Sequence, residues 1–68
     1  MHSIFINLIT ENGTLPRLKS YESTIIPNIG ESIYMPHWGT YLIKDVVHYV
    51  FDDSDELGWI DIYVVKRK

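Results

Sequence analysis

The sequence predicts an all-β domain, and three observations carry that reading. Pro27-Asn28-Ile29-Gly30-Glu31 combines a fixed φ with a glycine able to turn left-handed, then feeds directly into the β-prone Ser32-Ile33-Tyr34. Tyr41 to Phe51 is a long run rich in β-branched and aromatic residues. Ile60, Ile62 and Val64 alternate with Trp59, Asp61, Tyr63 and Val65, the two-residue period of a half-buried strand.

The elements follow in chain order. Residues 2–9 form a first strand with Ile4, Ile6 and Leu8 on one parity, the apolar run being interrupted at Asn7. Glu11-Asn12-Gly13-Thr14 is a turn, and Leu15-Pro16 marks a loop because proline cannot donate in a central ladder. Residues 18–26 are a weaker strand; Pro16 also permits a short helical turn within 15–21. After the Pro27–Gly30 reversal, Ser32 to Met35 form a short strand and Pro36-His37-Trp38-Gly39 the next turn. Neither parity of Tyr41–Phe51 is cleanly polar, which predicts a bulge or bend near Lys44-Asp45. Asp52 to Gly58 is a polar hairpin loop, and Trp59 to Lys66 return with Ile60, Ile62 and Val64 inward.

Sixty-eight residues make one domain, residues 1–68, with apolar residues at 46% of the chain. The aromatic supply suffices for a core, so intrinsic disorder is not expected. There is no cysteine, which excludes disulfides and thiolate zinc sites. A formal charge of −3 disfavours a role centred on phosphate neutralisation. No basic segment precedes the first apolar run and no stretch is long enough to span a bilayer, so the expected location is the cytoplasm. Self-association is an open possibility, since pairing would bury aromatic surface that a lone small barrel exposes.

The pattern Ile26-Pro27-x-Ile29-Gly30-Glu31-x-Ile33, then Tyr41-x-Ile43-x-Asp45-Val46-Val47-His48-x-Val50, then Ile60-x-Ile62-x-Val64 resembles small uncharacterised bacterial and phage proteins. Those proteins carry a Pro-x-x-Gly-Asp/Glu turn, a Tyr-x-Val-x-x-Val strand and a terminal β-hairpin. The turn is also similar to the Gly-Asp-x-Val turn of SH3-like barrels. The resemblance covers residues 26–66 and implies a fold, a five-stranded antiparallel barrel, SH3-like or related. It carries over no catalytic residue.

Chemistry is sparse. Asp52, Asp53, Asp55 and Glu56 are dense in oxygen ligands, but the stretch lacks the central glycine and distant glutamate of a calcium loop, so a solvated turn is expected. His2, His37 and His48 lack spacing for a shared zinc site. Ser, His and Asp occur without a nucleophile elbow, and Asp45 reads as an acceptor of backbone N–H at a bulge. Neither catalysis nor a cofactor is expected.

The aromatics are the strongest binding candidates: Trp38 in a turn, Trp59 opening the last strand, and Tyr34, Tyr49 and Tyr63 beside them. The expected function is non-catalytic protein–protein binding, through these aromatics or an exposed strand edge. One version is an acidic inhibitor presenting Asp52, Asp53, Asp55 and Glu56 to a basic site on a host protein. The alternative is nucleic-acid binding through Lys44, Lys66, Arg67 and Lys68.

Overall fold

A computed structural model describes residues 2–50 and 57–67, and the acidic stretch Asp52–Glu56 lies outside them. The described residues hold five strands and no helix: β1 (His2–Thr10), β2 (Gly13–Ser23), β3 (Ser32–Met35), β4 (Gly39–Val50) and β5 (Leu57–Lys66). They form one sheet in the order β2-β1-β5-β4-β3, curled into a half-barrel. The all-β expectation is therefore met. Its wholly antiparallel form needs one correction, because β1 pairs with β5 in parallel, from Ile4↔Ile60 to Leu8↔Val64. The β1–β2 hairpin and the β3–β4–β5 meander are joined through that one parallel pairing.

The concave face holds the core. Alternation along β1 and β5 places Ile4, Ile6, Ile60, Ile62 and Val64 on it, and Met35, Tyr41 and Ile43 complete the buried cluster. Ile26 and Trp38, from the connections either side of β3, pack against its rim with Tyr21, Ile33 and Val46. Among the described residues a single curled sheet thus covers its own apolar stripe without a second layer.

Two irregularities make the curl possible. Between Ile43↔Val64 and Asp45↔Tyr63 the register shifts, so β4 spends one extra residue at Lys44. The predicted bulge is there, and Asp45 Oδ1 accepts the Val46 N–H at 2.9 Å. The bulge exchanges the parities of β4: Tyr41 and Ile43 face the core before it and Val46 after it. That exchange explains why neither parity of this strand reads as polar.

The second irregularity lies in the hairpin. Between Ile6↔Lys19 and Leu8↔Leu15, β1 supplies only Asn7 while β2 supplies Pro16, Arg17 and Leu18. The expected loop at Pro16, or helical turn within 15–21, is instead a bulged part of a strand ending at Ser23 rather than residue 26. Proline is accommodated because β2 is an edge strand, where an N–H facing away from the ladder needs no partner.

Candidate outer aromatic face

The bulge at Asn7 organises the convex face. Asn7 lies on the parity opposite Ile6, yet it is 3% exposed, as is Asp61. Asn7 Nδ2 donates to Asp61 Oδ1 and to the Ile62 carbonyl, both at 3.1 Å. Asn7 Oδ1 accepts the Arg17 backbone N–H at 2.8 Å. That bond holds Arg17 in a left-handed conformation, φ +48°, unusual for a residue with a side chain. The Arg17 guanidinium then returns over the sheet, 3.6 Å from Asp61 Oδ2, which also accepts Trp59 Nε1 at 3.3 Å. Among the described residues no buried side-chain nitrogen or oxygen lacks a partner.

This polar knot fixes an aromatic cluster. The Arg17 guanidinium lies 4.6 Å from the centre of the Phe5 ring and 5.3 Å from that of Trp59. Trp59 stacks on Tyr49 across the β4–β5 pair, ring centres 4.9 Å apart at 21°. Phe5, Asp61 and Val47 form the next cross-strand row, and Asn7, Tyr63 and Asp45 the row after it. Phe5, Val47, Trp59 and Tyr63 are half-buried, and Tyr49 and Arg17 are exposed. No other described strand packs over this face, because the extensive strand contacts all run between sheet neighbours.

The sequence candidates are therefore divided. Trp59, Tyr49 and Tyr63 share the convex face. Trp38 belongs to the core rim, its ring 5.4 Å from Lys19 Nζ. Tyr34, at 70% exposure, stands apart on β3. Asp52, Asp53, Asp55 and Glu56 lie outside the described residues. Sequence reasoning missed Asn7, Arg17 and Asp61. The available signal was a lone polar residue flanked by Ile or Leu in each of two strands, Ile6-Asn7-Leu8 and Ile60-Asp61-Ile62.

The opposite side of the molecule carries a cleft of about 480 Å³ where the half-barrel is open between β2 and β3. Ile6, Ile33 and Met35 line it together with Lys19, Ser20, Tyr21, Ser32, Tyr34 and Pro36, and none of these described lining residues is a carboxylate or a histidine. Burial, and secondarily the charge of Glu31, push the Tyr21 phenol above its usual 10.0. The folded state therefore favours the neutral phenol; that contribution is complete below pH 10.0 and is lost as pH rises through the higher folded value. Urea midpoints measured from about pH 9 to 11 should fall with pH, and Tyr21→Phe should flatten part of that fall.

Among the described residues, no three His, Asp or Glu side chains converge in a way that would hold a metal ion. No family model, curated protein or solved structure matches the chain.

Proposed function

We propose that the chain is a non-catalytic protein-binding module whose contact surface is the convex face of β1, β4 and β5. The carrying observation is the Tyr49–Trp59 stack beside Arg17 and Phe5, held by the Asn7–Asp61 pair. Trp, Tyr and Arg dominate the energetics of protein interfaces, since each brings large contact area at small conformational cost. Here the rings and the guanidinium already contact one another in the free protein, and such preorganisation lowers the entropy lost on association.

The nucleic-acid alternative draws less support. Arg67 Nη1 is engaged with Ser32 Oγ at 2.8 Å; Lys68 lies outside the described residues and bears on neither reading. The charge of −3 also argues against it.

Capture from cell lysate tests the reading. Tyr49 is 38% exposed, so Tyr49→Ala should leave the fold intact, to be verified by far-UV spectrum and urea midpoint. A protein retained by the wild type should be weakened about tenfold or more by this variant. Equal retention by Tyr49→Ala would remove the convex face as the contact surface.

A further inference from the structure

A cleft lies at the opening of the half-barrel, apart from the convex face. β2 and β3 are the two edges of the sheet, so each has a strand partner on one side only. Following the pairings from β1 to β5, β4 and β3, the directions make β3 parallel to β1 and hence opposite to β2. The cleft between these edges has an apolar floor of Ile6, Ile33 and Met35, with Met35 and Ile6 7% and 3% exposed.

We propose that this cleft takes up one extended segment of a partner protein, inserted between β2 and β3 as a sixth strand that closes the barrel. Any inserted strand runs antiparallel to one edge and parallel to the other, since the edges oppose. Antiparallel pairing with β2, the longer edge at 11 residues against 4, makes the better use of the more stable ladder. The four residues of β3 match a segment about 13 Å long. Its inward positions meet Ile6, Ile33 and Met35 and take Val, Ile or Leu.

Charge fixes the remaining preference. Among the described lining residues Lys19 is the one cation, its Nζ 5.4 Å from the Trp38 ring, and none is acidic. Glu31 exerts its charge on Tyr21, on the same wall two residues along β2. A carboxylate on the inserted segment is therefore favoured at Lys19 and disfavoured beside Tyr21. The occupant is an alternating apolar strand with one acidic residue at that end.

The test uses wild-type protein and a synthetic pool of short peptides. In the pool, Val, Ile or Leu alternates with Thr and one terminal inward position is Glu. A matched pool carries N-methyl groups on alternate backbone amides, which abolish ladder hydrogen bonds while keeping the side chains. The expected result is slowed amide exchange in both Lys19–Ser23 and Ser32–Met35 on peptide addition, with affinity about tenfold weaker for the methylated pool. Lys19→Met should remove the preference for Glu over Gln while leaving the urea midpoint unshifted, since Lys19 is exposed. Equal binding of the methylated pool, protection confined to the convex face, or no binding overturns the proposal. So does protection of both edges that grows with protein concentration alone, which would mean that a second copy occupies the edges.

Discussion

Asn7→Asp should leave a protein that is folded in acid and severely destabilised at neutral pH. The substitution keeps the shape of the side chain but sets a second carboxylate where Nδ2 now donates to Asp61 Oδ1 at 3.1 Å. Both positions are 3% exposed, so solvent offers little screening. Arg17, at 3.6 Å from Asp61, neutralises one charge and not two. The pair then retains a shared proton, which means that one carboxyl has a folded pKa raised above its unfolded value. Stability is complete below the unfolded value near pH 4 and is lost as pH rises through the folded one. The expected cost at pH 7 is about 4 kcal/mol, most of it recovered near pH 4. A urea midpoint independent of pH in this variant would contradict the network.

Ile62→Ala should be the most damaging truncation in the core. Ile62 has no exposed surface and sits mid-strand in β5, the central strand, between Ile6 of β1 and Val46 of β4. Loss of its buried methylenes and the resulting cavity should cost about 3–4 kcal/mol. A domain of this size has a total stability of roughly 3–10 kcal/mol, so a large share disappears with one side chain. Val65→Ala, on the half-buried opposite parity of the same strand, should cost no more than about 1 kcal/mol. Equal midpoints for the two variants would mean that the concave face is not the core.

Much of the fold was legible because its signals are local. The limits of β3 follow from Pro27–Gly30 on one side and Pro36 on the other, and the inward set of β5 from strict alternation. The Lys44 bulge was legible from a strand whose two parities were both apolar. The parallel β1–β5 pairing was not, since it joins the two ends of the chain and leaves no local mark. β2 was misplaced because Pro16 breaks a central strand but not an edge one.

The site was legible in its aromatics and hidden in its polar support. Trp59, Tyr49 and Tyr63 stand out by residue type alone. Their grouping depends on β4 exchanging parity at its bulge, which carries Tyr49 to the convex face, whereas Trp38 lies in the turn before β4 and packs on the core rim. Asn7, Arg17 and Asp61 meet only after the hairpin bulge and the parallel pairing both form. Arg17 in particular reads as an ordinary loop cation until Asn7 fixes its backbone.

Photo-crosslinking tests the convex face most directly. A photoreactive aromatic amino acid at position 49, within the Trp59 stack, is compared with the same group at position 11, in the exposed β1–β2 turn. The protein-binding reading predicts a covalent adduct with one partner protein from position 49, none from position 11, and loss of the adduct when unlabelled wild type competes. Adducts of equal yield from both positions, or none from position 49 while a partner is still captured, would contradict it.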